Sequence, residues 1–314
     1  MYRLDEGRGA MVGGNPHESK DNVGEMAWTT LIAADALEGC LGDADVAILD
    51  CRYNLDNERW GAQEYVSRHI PGAAYVHLGH DLAGVKTGAN GRHPLPDPDA
   101  LKRTFGRLGI GSGVQVVAYD QDTGMYASRA WWLLRWMGHD SVAVLDGGFA
   151  RWTAEGRPTT SGEEQRAARA FNGSPRAGWT MSVEEVARLT RSREWRLVDA
   201  RAPQRYRGET EPIDRVAGHI PGAVNHFFQW NLDERGAFRA PEELRARLRR
   251  AIGDVPADRV ISYCGSGVTA CHNLLALEHA GVRGAKLYPG SWSEWSSDPS
   301  RPVERSNIET AEKK

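Results

Sequence analysis

Cysteine is scarce in this chain: Cys40, Cys51, Cys264 and Cys271 are the four in 314 residues. They are too few and too scattered for a disulfide scaffold, and no C-x-x-C pair is present for zinc or dithiol redox work. Reduced thiols in a cytoplasm are therefore expected. Long apolar runs are missing too, since nothing approaches the roughly 18 apolar residues of a membrane span. Residues 1–26, rich in glycine and charge, lack the apolar stretch of a signal peptide and read as a flexible extension. There is no surplus of positive charge: the net charge is -3, the pI is near 6.4 and the arginines are dispersed, which argues against nucleic acid as a partner. What is there, 40% hydrophobic and 26% charged residues, is ordinary for a soluble globular protein, and the length predicts two domains.

The second half repeats the first at a spacing of about 150 residues, the signature of a duplication. The run Val46–Arg52 matches Arg196–Arg201, and both read as buried strands ending in an acid, Asp50 and Asp199. Arg68-His69-Ile70-Pro71-Gly72-Ala73 matches Gly218-His219-Ile220-Pro221-Gly222-Ala223, both turns leading into a strand. Leu145–Trp152 matches Tyr288–Trp295, a strand, turn and helix that close each half. Short apolar runs (114–119, 260–263) alternate with helical patterns (130–137, 273–279), which predicts an α/β class with a parallel sheet flanked by helices in each half. The expected division is a first domain over 27–157, a linker over 158–178 without apolar period, a second domain over 179–304 and a tail over 305–314.

Ligands of open α/β sheets gather beyond the carboxyl ends of the strands, so the loop after Arg259–Tyr263 is the first candidate site. It reads Cys264-Gly265-Ser266-Gly267-Val268-Thr269-Ala270 and then becomes a helix. The glycines let the backbone N–H groups turn inward, and the helix adds its positive end. That setting favours an anionic sulfur, which nucleophilic attack and storage of a persulfide both require. The matching loop of the first half, Asp120–Met125, has Asp120 where the second has the cysteine, and an acid cannot take up sulfur. The first half is thus expected to be non-catalytic, a scaffold and one wall of a cleft between the domains.

With its two His-Ile-Pro-Gly turns, Gly290-Ser291-Trp292-Ser293-Glu294-Trp295 and the Cys264–Cys271 stretch, the sequence resembles the tandem-domain rhodanese-type sulfurtransferases over roughly 28–303. That family comprises thiosulfate sulfurtransferase and 3-mercaptopyruvate sulfurtransferase. The resemblance implies two rhodanese-like domains and Cys264 as sulfur carrier, with Gly265, Gly267, Val268 and Thr269 around the donor. It implies a relay of Ser266 and His69, with Asp56 as a candidate to orient the histidine, and Arg205 as the donor's carboxylate ligand, with the slightly displaced Arg215 as a second. Loops reading Cys-Gly-Ser-Gly-Val-Thr go with mercaptopyruvate in this family, whereas thiosulfate enzymes tend to have Arg and Lys after the cysteine. A dianion gains more from a cationic loop than a monocarboxylate does. The acceptor would be cyanide, a small thiol or a thioredoxin-like protein, and no metal or organic cofactor is needed, because the thiolate carries the group itself.

Bland roles compete for several of these residues. Cys40, Cys51 and Cys271 read as core or helix-face residues, and His69 and His219, in equivalent turns, can serve as strand caps. Arg92 and His93 read as part of a loop bordering the cleft, and Trp131–Trp136 as core or domain interface. Gly265-Ser266-Gly267-Val268-Thr269-Ala270 formally fits a dinucleotide fingerprint, but no acid ends the next strand. A cysteine phosphatase needs arginine where Ala270 stands. A non-catalytic binding module is a further alternative, which an intact Cys264 opposes.

Overall fold

Every apolar run read as a strand is one in the computed structural model, which describes residues 27–306. In the first half β1 (Leu31–Ile32), β2 (Val46–Asp50), β3 (Ala73–Tyr75), β4 (Gln115–Tyr119) and β5 (Val142–Leu145) form one sheet in the order β1-β5-β4-β2-β3. In the second, β6 (Arg196–Asp199), β7 (Val224–Asn225), β8 (Val260–Tyr263) and β9 (Lys286–Leu287) run in the order β7-β6-β8-β9. All neighbouring strands are parallel. β2, β5 and β8 are buried along their whole length, and β4 and β6 beyond their first residue, as parallel strands covered on both faces must be. Reversed, the first order is β3-β2-β4-β5-β1, so the two sheets share one topology. The second lacks only a full counterpart of β1, which survives as a single parallel bridge from Thr180 to Leu287.

The shared punctuation turns out to be shared bracing. Asp50 and Asp199, at the ends of β2 and β6, each bind the guanidinium two residues on, at 2.6 Å to Arg52 and 2.6 Å to Arg201. Each arginine also donates to a carbonyl before the proline turn, of Arg68 and of Gly218, both at 2.7 Å. Each lies over an aromatic ring of the closing helix, 4.2 Å from Phe149 and 4.7 Å from Trp292. Buried ion pairs like these are tolerable because every partner is hydrogen-bonded.

The stretch read as a linker, 158–178, lies pinned along the first half. Thr160 pairs with His69, Arg169 N–H donates to the Gly106 carbonyl at 2.9 Å, and Phe171 is buried in the core. The second half then opens on a capping box, in which Glu185 N–H donates to Ser182 Oγ at 3.3 Å and Ser182 N–H to Glu185 Oε2 at 2.7 Å. The helix Ala127–Trp136, with Trp131 and Trp132 buried, packs against the helix Thr269–His279, so the tryptophan run is indeed core and interface. No helix among the described residues is long and apolar enough to cross a membrane. The expectations for 1–26 and for 307–314 lie outside the described residues.

Candidate active site

Cys264 directly follows β8 and is 2% exposed. Its sulfur accepts two backbone N–H groups, from Gly267 at 3.1 Å and from Ser266 at 3.4 Å. Gly267 makes this possible: its φ is +77°, and a Cβ there would stand 2.4 Å from the Pro289 carbonyl oxygen. The segment after β9 holds the loop from behind. Ser291, a non-glycine residue at φ +55°, accepts the Cys264 N–H on its Oγ at 3.1 Å and donates to the Tyr288 carbonyl at 2.9 Å. Trp292 and Ser293 N–H groups bond the carbonyls of Cys264 and Gly265, both at 2.9 Å. The strained serine is thus held by the cysteine it positions.

The sulfur faces a cavity of about 200 Å³ between the two halves. Gly265, Ser266, Val268 and Thr269 line it, with Arg205, Ala200 and Phe228 from the second half and Leu78, Arg92, His93 and Tyr126 from the first. Gly267 works from behind, through its N–H. Larger hollows on the first half, of about 920 Å³ beside His77 and His80 and about 500 Å³ beside Tyr65, border no cysteine.

The histidine beside Ser266 is His93, with Nδ1 2.8 Å from Ser266 Oγ. This corrects the expectation for His69. That side chain is fully buried, stacks on Tyr65 at 4.2 Å between ring centres and bonds the Tyr65 carbonyl through Nδ1 at 2.7 Å. Its Nε2 faces Glu164 at 3.4 Å, not Asp56, which borders the hollow beside His77 and His80. His219 repeats the arrangement in the second half, stacked on Tyr206 at 3.9 Å and bonded to the Tyr206 carbonyl at 2.6 Å. What both halves have in common is architecture, and duplication was the reason to doubt His69. Burial, and then the positive charges of Arg129, Lys86 and Arg92, lower the His93 imidazole to about 3. At neutral pH it is an uncharged ring that can exchange tautomers with a hydroxyl partner.

Arg205 lies in the wall of the same cavity, with Nε 3.1 Å from Glu211 Oε2 and Nη2 2.6 Å from Glu211 Oε1 and 3.4 Å from Asp214. Arg215 does not line this cavity. It is exposed and faces an adjoining hollow. The second guanidinium over the loop is Arg92, which reaches across from the first half to pair with Asp214. A Cβ on Gly265 would lie 2.8 Å from Arg92 Nη2 and 3.5 Å from Arg205 Nη2, so glycine keeps room for both.

Sequence reading passed over Arg129. It is fully buried, and its guanidinium donates to the carbonyls of Gly267 at 3.1 Å, His93 at 3.2 Å and Leu82 at 3.3 Å. One side chain of the first half therefore fixes both the cysteine loop and the histidine loop. The other cysteines have other roles: Cys271 donates to the Gly267 carbonyl at 3.3 Å and is pushed up to about 12, first by burial. Cys51 is buried and raised for the same leading reason.

A family model described as the rhodanese-like domain matches twice, over residues 33–155 and 182–298. The chain is 46% identical over 280 residues to a Pseudomonas aeruginosa protein named "Probable 3-mercaptopyruvate sulfurtransferase", covering 88% of this chain and 99% of that one. It is 35% identical to the thiosulfate sulfurtransferase of Rattus norvegicus, covering 86% of this chain and 91% of that one. Among solved structures, a 3-mercaptopyruvate sulfotransferase from Escherichia coli superposes with a TM-score of 0.73 at 31% identity, over 84% of this chain and 99% of its own.

Proposed function

Since the chain belongs to the family built from rhodanese-like domains and is a sulfurtransferase, we propose that it takes sulfur from 3-mercaptopyruvate onto Cys264 and passes it to a thiol or to cyanide. The observation that carries this reading is a sulfur under two N–H donors in a small cavity, with the cations Arg92 and Arg205 standing off a loop that itself has none. Two guanidinium groups hold a carboxylate and a carbonyl oxygen without crowding the sulfur. The named relative at 46% identity supports the same donor.

In the first stage the Cys264 thiolate attacks the donor's thiol sulfur. The carbon–sulfur bond breaks, its electron pair leaves as the pyruvate enolate, and Cys264 is left as the persulfide Cys–S–SH. The enolate then takes a proton from solvent. Ser266 passes it on, and His93, neutral, resupplies Ser266 from its ring by exchanging tautomers. Arg205 releases its long contact to Asp214 to receive the donor's carboxylate. In the second stage the acceptor's sulfur removes the outer sulfur, a two-stage scheme in which a small thiol, a thioredoxin-like protein or cyanide can serve. Four free cysteines support a reducing compartment such as the cytoplasm.

A second reading has thiosulfate as donor, with sulfite leaving, and it draws on the same pair of guanidinium groups and on the relative from rat. Steady-state kcat/KM for the two donors with one fixed acceptor separates them. The proposal expects mercaptopyruvate to lead by at least about tenfold, equivalent to about 1.4 kcal/mol, the net worth of one ordinary hydrogen bond. A lead for thiosulfate would overturn the donor.

A further inference from the structure

The Cys264 cavity adjoins a second hollow of about 360 Å³, which shares Arg92 and Ile213 with it. Lys86 and Arg92 of the first half and Asp214, Arg215 and three serines of the second form its walls. The hollow begins next to the cysteine loop, since Ser293, in its wall, donates its N–H to the Gly265 carbonyl at 2.9 Å. The halves meet closely here. A Cβ on Gly91 would stand 2.7 Å from the Gly290 carbonyl oxygen and 3.1 Å from Ser293 Oγ.

Charge in this hollow does not cancel. Its one carboxylate, Asp214, is taken by Arg92 and, at 3.4 Å, by Arg205. Among the described residues, neither Lys86 nor Arg215 has a carboxylate within 4.0 Å. The serines contribute acceptors, not donors, because their hydrogens are already used: Ser293 Oγ donates to the Gly290 carbonyl at 3.1 Å, Ser296 Oγ to Trp292 at 2.7 Å and Ser297 Oγ to Glu294 at 2.8 Å. A sulfate-like anion, which wants many donors, is poorly served by such walls. A single carboxylate suits two cations, and oxygens that only accept suit an ammonium or amide N–H beside it.

We propose that this outer hollow is the subsite for the sulfur acceptor, and that it selects a thiol of amino-acid type, with Lys86 and Arg215 holding its carboxylate and the serine oxygens accepting from its nitrogen. The inference rests on the persulfide reading above and deepens it. The acceptor's thiolate reaches past the Arg92–Asp214 pair and attacks the outer sulfur of Cys264–S–SH. A new sulfur–sulfur bond forms, the old one breaks, and its electron pair returns to Cys264 as thiolate. The acceptor leaves as R–S–SH with the persulfide's proton, so no outside oxidant or reductant enters. Separate carboxylate sites for donor and acceptor let two acids use one sulfur in turn without competing for Arg205.

The test compares the wild type with the full-length Lys86→Ala/Arg215→Ala double variant in two separated stages. Pyruvate release from mercaptopyruvate in a single turnover reads the first, and sulfur transfer from the loaded protein to cysteine or to cysteamine, which lacks the carboxylate, reads the second. The expected result is a KM for cysteine raised about tenfold, the loss of one modest charged contact, with cysteamine and pyruvate release within about twofold of wild type. An unchanged KM for cysteine, or an equal rise for cysteamine, overturns the subsite. Slower pyruvate release with unchanged acceptor KM overturns it too and returns Arg215 to the donor. No pyruvate release in the wild type would instead sink the sulfur-transfer reading on which the subsite depends.

Discussion

The loops after β4 and β8 are the same device filled with different atoms. Each turns backbone N–H groups onto an anionic or polarisable group at the end of a strand. In the first half the Asp120 carboxylate accepts from Tyr126 at 2.7 Å, Gly124 at 2.9 Å, and Ala127 and Asp122 at 3.2 Å. In the second the Cys264 sulfur accepts from two such groups and keeps a face toward the cavity. Asp120 is 1% exposed, and burial pushes it up to about 6 although its N–H partners pull the other way. The difference teaches that the fold supplies an anion cradle twice. On the proposed reading, chemistry needs in addition a nucleophilic atom, an adjoining cavity and partners that the duplication did not copy, namely His93, Ser266, Arg92 and Arg205, which line the cavity beside Cys264.

Breaking that asymmetry at its partners should have the largest effect. His93→Asn is expected to slow sulfur uptake by about a hundredfold, the lower range for losing a positioned proton-transfer group. His69→Asn, at the duplicated position, should leave uptake within about twofold while lowering unfolding stability by roughly 1–2 kcal/mol, because a buried hydrogen bond is lost. Stopped-flow pyruvate release and urea unfolding on both variants decide this, and equal losses of rate would restore His69 to the site.

A smaller effect sharpens the comparison through pH. Asp120 binds its proton more tightly folded (about 6) than unfolded (3.8), so the stability it contributes is fully present below 3.8 and is lost as pH rises through about 6. His93 has the opposite sign. Lowered from 6.5 to about 3, it contributes fully above 6.5, and that contribution is lost as pH falls toward 3. Urea midpoints at pH 4.5 and 7 should therefore show Asp120→Asn gaining on wild type at the higher pH, by on the order of 2 kcal/mol. His93→Asn should gain at the lower one. Parallel pH profiles for both variants and wild type would remove this part of the account.

Fold and repeat were legible because they rest on local signals. Buried parallel strands show as continuous apolar runs, and the Pro-Gly turns recur in register, so β2, β4, β6 and β8 and the cysteine loop followed directly. The site was half legible. Cys264, Ser266 and Arg205 sit in motifs where spacing constrains geometry, and they line one cavity. His93 and Arg92 lie in an aperiodic stretch between β3 and the helix Pro98–Arg107, where nothing local says which way the chain faces. The available signal was negative: His69 has a duplicate in His219, and a residue needed once need not occur twice. Arg129 was hidden inside a helix read for its tryptophans, and its bonds to Gly267 and His93 span sequence distances that no local pattern encodes. Ser291 was read as part of a signature, but its left-handed backbone and its bond to the Cys264 N–H belong to the closure of the second half on itself.

The central claim is that one of two equivalent cradles carries sulfur. It is tested most directly by intact mass and peptide mapping after brief exposure of the reduced protein to mercaptopyruvate, on wild type, Cys264→Ser and Cys264→Ser/Asp120→Cys. The account predicts one added sulfur on the wild type, located on the peptide containing Cys264, and none on either variant, because a cysteine at position 120 would have the cradle without the cavity or the partners. Sulfur on Cys51 or Cys271, or on the cysteine placed at 120, would contradict it.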